Sequence, residues 1–347
     1  MAKKKRVRIK SGKCPRGLLQ KATTEITGVT DAEAAAKPGY AAKSSARKGR
    51  GRLLIADTEV VHIKATGRLI KLDKNLRDCL IERMMEVAER KYSEGDFEMS
   101  ISICDQMLLL DDEFAVGYSS RALAKLGLGD FEGAIEDCNR AIEIDPELAV
   151  GYNNRGFALV EQGNFLGGLS DLNKAIELNP KMWAAYNNRG YALHFLGDPE
   201  LAIEDYDRAI KLEPNFIDCY NNRGMAKARI EDISGALKDY DRALILNRHY
   251  KAAWFNRAFL KQRLEEFSAA IVDYDEALEI DQNWPHAYFN RGVCKQNLGD
   301  FSSAMADYSR AAKVGRNNNL VHAQATEMLK KGWRIVDGSE KGSEDAL

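Results

Sequence analysis

The chain runs to 347 residues, room for two ordinary domains or one long repeat array, with apolar residues plentiful enough for a sizeable core. Its seven prolines suit helices better than many short strands, and no apolar run is long enough to span a membrane. The net charge of -1 conceals an asymmetry: residues 1–52 hold 15 Lys and Arg against Glu25, Asp31 and Glu33, a charge of +12, leaving -13 for the rest.

Residues 1–52 show no sustained period and mix Lys, Arg, Ala, Gly and Ser, the composition of a disordered arm. Lys3-Lys4-Lys5-Arg6 and Arg47-Lys48-Gly49-Arg50-Gly51-Arg52 are its densest clusters, expected to anchor the chain electrostatically to an acidic polymer. That polymer is nucleic acid or a tubulin tail, and an import receptor is a further reader of such a cluster. The charged start has no apolar stretch behind it, which argues against a secretory leader. A cytoplasmic or nuclear location is expected, with the cytoskeleton or cilium as alternatives and a Lys-rich mitochondrial address as another. Six scattered cysteines without a C-x-x-C pair fit reduced thiols. Residues 53–80 alternate weakly and read as a strap leading into a first helix, whose pattern begins near Asp73.

The chain then repeats itself. Tyr152-Asn153-Asn154-Arg155-Gly156 returns at Tyr186 and again at Tyr220, with weaker copies at Tyr118, Trp254 and Tyr288. The 34-residue period predicts a helix-turn-helix unit, and seven units fit end to end over 81–318. Position 8 of each unit is small (Gly156, Gly190, Gly224, Ala258). Positions 20 and 27 are small on the second helix, and position 24 is bulkier (Leu172, Tyr206, Tyr240, Tyr274, Tyr308). Spacings of four and three put these on one helical stripe. Gly-Asp or Gly-Asn at positions 15–16 breaks the first helix and starts the second, and Pro146, Pro180 and Pro214 close it. Residues 319–336 read as a capping helix, and 337–347 as an acidic tail.

These repeated residues resemble tetratricopeptide repeats, in a variant with an Asn-Arg-Gly core in the first helix. The resemblance implies an all-α, right-handed α-solenoid of seven helix pairs with a C-terminal capping helix. The first unit departs from the pattern with Val87 and Met107, as a terminal repeat with one unpaired face is expected to.

Arg at position 7 is unusual for the family, which carries an apolar residue there. It recurs as Arg121, Arg155, Arg189, Arg223, Arg257 and Arg291, and Asp at position 23 recurs in the same six units as Asp137, Asp171, Asp205, Asp239, Asp273 and Asp307. Features that appear and vanish together point to structural ion pairs, each planar guanidinium forked onto a carboxylate; the alternative is a row of anion-binding arginines. The resemblance also implies that positions 2, 5, 6, 9, 12 and 13 of the first helix face a concave groove. Read that way, Asn154, Asn188, Asn222, Asn256 and Asn290 form an amide ladder beside Phe157, Tyr191, Phe259 and Phe289. Amides offer donors and acceptors to any peptide backbone, so these residues are the candidate peptide-binding set; the alternative is that they cap neighbouring carbonyls. The family's two-carboxylate clamp is absent, because position 9 is never Asn and position 6 never Arg.

No phosphate loop, nucleophile elbow or metal-ligand spacing occurs, so no catalytic residue, metal or cofactor is expected. His194 and His286 fall on the groove face as contact residues at most. The expected function is a scaffold or adaptor that holds an extended peptide of a partner protein. The rivals are a nucleic-acid or ribonucleoprotein factor and a microtubule or ciliary structural protein.

Overall fold

The computed structural model describes residues 74–316 and 319–336, and all regular structure among them is α-helical. The helices are α1 (Lys74–Ser93), α2 (Phe97–Leu110), α3 (Ala115–Gly127), α4 (Phe131–Ile144), α5 (Ala149–Glu161), α6 (Phe165–Leu178), α7 (Trp183–Leu196) and α8 (Pro199–Leu212). They continue as α9 (Ile217–Arg229), α10 (Ile233–Leu246), α11 (Lys251–Arg263), α12 (Phe267–Ile280), α13 (Pro285–Asn297), α14 (Phe301–Val314) and α15 (Asn319–Val336). They make seven pairs, one per repeat, and then a single helix over the span expected of the cap. The basic arm with its two clusters, the strap up to residue 73 and the tail 337–347 lie outside the described residues.

The chain forms two compact units. The first, ending at Pro180, holds three pairs; α2 packs on α3 and α4 on α5, so consecutive pairs share a face. The second, from Lys181, holds four pairs stacked the same way, and α15 closes it against α14 and α13. In both units the first helices of adjacent repeats also touch, α1 with α3 and α5 with α3, α9 with α7 and α11, and α11 with α13.

Helix ends follow from local chemistry. The second helix of most pairs starts in an exposed turn, where its orphan N–H groups need a local acceptor. Asp96, Asp130, Asn164, Asp232 and Asp300 supply one, each accepting from the backbone N–H three residues on. Glycine ends the first helix in five repeats because the residue there sits at positive φ, +76° at Gly129 and +99° at Gly197. Repeats five and six put Glu231 and Glu265 in the same conformation, at φ 62° and 61°.

The core is built on fit between small and large residues. Ala202, Ala236, Ala270 and Ala209, Ala243, Ala277 are fully buried, and Tyr206, Tyr240, Tyr274 and Tyr308 are 0–2% exposed between them. A Cβ on Gly224 would stand 2.7 Å from the Tyr240 ring, so glycine lets the ring lie flat on the first helix; repeat six manages the contact with Ala258. The first unit fills the same place with Cys104, Cys138 and Leu172, all at 0% exposure. Burial pushes the Cys104 and Cys138 thiols up to about 12, so they stay protonated and inert. Cys219 and Cys294 are likewise buried and free. The tryptophans described serve packing: Trp183 lies 4.3 Å from the Phe216 ring and Trp284 4.7 Å from Phe255.

Candidate functional site

Six arginines at position 7 and six aspartates at position 23 meet in pairs within their own repeats. Each guanidinium forks onto one carboxylate, Nε to Oδ2 at 2.7–2.9 Å and Nη2 to Oδ1 at 2.5–2.8 Å. The aspartates are only 2–7% exposed. An aromatic residue one helical turn earlier lies over each guanidinium, from Arg257 on Trp254 at 4.7 Å to Arg189 on Tyr186 at 5.7 Å. The hydrogen bond to Asp171 raises the Arg155 pKa against the cost of burial. At Arg257 burial is the largest influence and opposes the charge, yet the bond to Asp273 leaves the group more firmly protonated.

Two further partners were not read from the sequence. The third arginine nitrogen, Nη1, reaches back to position 25 of the preceding repeat at 2.5–2.7 Å, meeting Asp105, Asn139, Asp207, Asp241 or Asp275. In four repeats a lysine at position 11 joins the buried carboxylate at 2.7–2.9 Å: Lys125, Lys227, Lys261 and Lys295. These are the repeats whose arginine reaches back to an aspartate. Arg155, which reaches back to the neutral Asn139, has Leu159 at position 11. Two cations then face two anions, or one faces one, so every such seam is neutral. A charge left unmatched in such a seam is unfavourable, which accounts for the joint change at the two positions.

The amide ladder is wired to itself. Asn222 Nδ2 donates to Asn187 Oδ1 at 3.2 Å and Asn256 Nδ2 to Asn221 Oδ1 at 2.8 Å, each bridging adjacent repeats. Asn154 Nδ2 donates to the Ser119 carbonyl and hydroxyl at 3.2 and 3.3 Å. Within repeats, Asn153, Asn187 and Asn221 donate to the Oδ1 of Asn154, Asn188 and Asn222. Asn154 is buried, while Asn188, Asn222, Asn256 and Asn290 are half-buried. Each amide in these chains keeps capacity beyond the bonds named, because it carries two N–H donors and two lone pairs.

The aromatic residues beside the ladder are the more accessible part. Phe259 is 45% exposed and stacks on Phe255, with ring centroids 6.5 Å apart and planes 4° from parallel. Tyr191 is half-buried and meets the exposed Phe195 edge-on at 4.8 Å. Phe157 and Phe289 are half-buried, the latter 5.6 Å from the Tyr308 ring. His286 is exposed, but His194, read from the sequence as a contact residue, is buried and its Nδ1 has no hydrogen-bond partner. Burial first, and the Arg229 charge second, push its pKa below the usual 6.5. The folded state therefore resists a proton that the unfolded chain accepts. Stability should be full above pH 6.5 and fall as the pH drops below it. We expect the melting temperature of the parent to drop more between pH 7.5 and 5.5 than that of His194→Gln; parallel profiles would remove His194 from the account.

Family models for the tetratricopeptide repeat match residues 123–163, 183–216, 252–283 and 285–318. No curated protein sequence matches the chain. Among solved structures, a chain of the APC/C hetero-tetramer Cut9-Hcn1 superposes with a TM-score of 0.64 and 16% identity, over 75% of this chain and 56% of that one. This chain thus spans little more than half that relative's length. A tetratricopeptide repeat protein from Parabacteroides merdae gives 0.54 at 16% identity, covering 73% of this chain and 99% of the other. PilF of Pseudomonas aeruginosa gives 0.53 at 19% identity, covering 62% and 98%. At these identities the likeness is one of fold.

Proposed function

Because this chain is a tetratricopeptide-repeat protein, we propose that it is a non-enzymatic scaffold that holds an extended peptide of a partner along the first-helix face of its repeats. The observation that carries this reading is the set of half-buried aromatic residues beside a repeating amide chain, with Phe259 45% open and stacked on Phe255. One amide per repeat from the third repeat on presents evenly spaced donors and acceptors, which suits an extended backbone, and the aromatic rings add side-chain selectivity. The basic arm, with Lys3, Lys4, Lys5, Arg6, Arg47, Lys48, Arg50 and Arg52, anchors the assembly to an acidic polymer in the same proposal. Its support is the charge of +12 on residues 1–52.

The hydrogen bonds among the amides change what their removal should do. Asn188, Asn222 and Asn256 changed together to alanine should cost stability as well as binding, since at least two bonds between adjacent repeats are lost at about 1 kcal/mol each. Tyr191→Ala with Phe259→Ala separates the two effects, because Phe259 is exposed and Tyr191 half-buried. We expect the aromatic pair to weaken partner capture at least tenfold, with the melting temperature shifted by only a few degrees. Undiminished capture by a folded aromatic variant would move the peptide site off this face.

A further inference from the structure

We propose that the edge of the second unit formed by its first-to-second-helix turns is a docking surface for a basic amphipathic helix of a partner protein. This edge borders the amide and aromatic face only at Phe195, which meets Tyr191. Its inference stands without the peptide reading.

Four successive repeats each leave one large apolar residue open at position 14, just where the first helix ends. Leu196, Ile230 and Leu264 are each 39% exposed and Leu298 is 51% exposed. Phe195 and Phe301 extend the row at 48% and 46%. The helix ends that carry them lie side by side. Arg229 Nη1 donates to the His194 carbonyl at 2.8 Å, and Arg263 Nη2 reaches Glu231 Oε1 at 2.9 Å, so the first three turns are tied in succession. A row of exposed apolar side chains of this kind marks a protein contact more often than chance surface composition does.

The charges beside the row select the occupant. Asp198, Glu231, Asp232, Glu265, Glu266 and Asp300 are all exposed in the same turns. The cations there are Arg229 and Arg263, already held as described. An apolar row rimmed by carboxylates repels an anionic membrane or a nucleic acid and fits lysines or arginines flanking an apolar stripe. Spacing fits as well. Neighbouring packed helices lie about 10 Å apart, and residues seven apart on an α-helix are separated by about 10.5 Å. Anchors at i, i+7 and i+14 of a partner helix would meet one repeat each.

Glu231 and Glu265 add an independent sign. They hold the left-handed conformation, φ 62° and 61°, that the corresponding turns elsewhere assign to glycine. A side chain in that conformation is strained, and glycine would relieve it. The two carboxylates are thus kept at the centre of the row at a cost to the fold.

The test uses the full chain and a fluorescent 18-residue leucine/lysine amphipathic helix, read by anisotropy at low salt. One variant carries Ile230→Ser, Leu264→Ser and Leu298→Ser; the other carries Glu231→Gly and Glu265→Gly. We expect each variant to weaken binding of the probe at least fivefold. The glycine variant should do so with a melting temperature equal to or above the parent, a combination that a purely structural role for these glutamates would not give. The Phe259→Ala variant should bind the probe as the parent does, which separates this surface from the peptide face. Probe affinity unchanged in both edge variants would overturn the proposal. So would capture of phosphatidylserine vesicles that is lost in the serine variant. Crosslinks in the full chain from Lys3, Lys4 or Lys5 to Glu231 or Glu265 would also overturn it, giving the edge to the chain's own arm.

Discussion

Arg257→Ala is expected to destabilise the second unit by about 1.5–3 kcal/mol, the range for lost hydrogen bonds to a charged group. The change removes two charge-assisted bonds to Asp273, a carboxylate 2% exposed, and leaves Asp241 without its contact to the next repeat. Lys261 stays on Asp273 at 2.7 Å, but one ammonium cannot replace a planar fork and its third bond. Arg257→Lys is therefore expected to recover only part of the loss. Repeat arrays need not unfold in one step. The suitable measurement is hydrogen exchange resolved to α11 and α12, alongside urea unfolding of the whole chain. A loss below 1 kcal/mol in α11 and α12 would mean that the arginine row is not a structural element.

Tyr274→Ala should have a larger effect for a different reason. The ring is fully buried against Ala258, Ala270 and Phe255, and its loss opens a cavity within a close-packed seam. Truncation of a buried aromatic side chain typically costs about 3–5 kcal/mol. Tyr274→Phe keeps the ring but takes the hydroxyl from Gln262 Oε1, which accepts from it at 2.8 Å, and should cost about 1 kcal/mol. Urea unfolding of both variants checks the ranking; a phenylalanine variant as damaged as the alanine one would put the weight on the hydrogen bond instead of the ring.

Much of this architecture was legible in the sequence because it recurs at fixed spacing. The helix pairs and the twelve residues of the arginine–aspartate pairs all sit at positions that stay constant from unit to unit. What escaped was whatever varies between units. Position 25 alternates between Asp and Asn, and position 11 between Lys and Leu, so neither stands out as a motif. Only the distances show that both act on one carboxylate cluster. His194 escaped for another reason: the helical wheel puts it on the groove face, but the folded chain leaves it only 8% exposed. The amides were found, but not their bonds, because an amide can serve a ligand or its neighbour and spacing alone does not choose.

The neutral seams also limit how the repeats can be rearranged. A repeat that offers Asp at position 25 must be followed by one that brings Lys at position 11, and a repeat that offers Asn by one that brings Leu. Excising residues 217–250 would join Asp207 to Lys261, a matched junction, and the shortened array would close without an orphan charge. Excising residues 115–148 would set Asp105 against a repeat that carries Leu159, one anion too many. The repeats therefore behave as two kinds of connector, and recombination within the gene is free only where like ends meet.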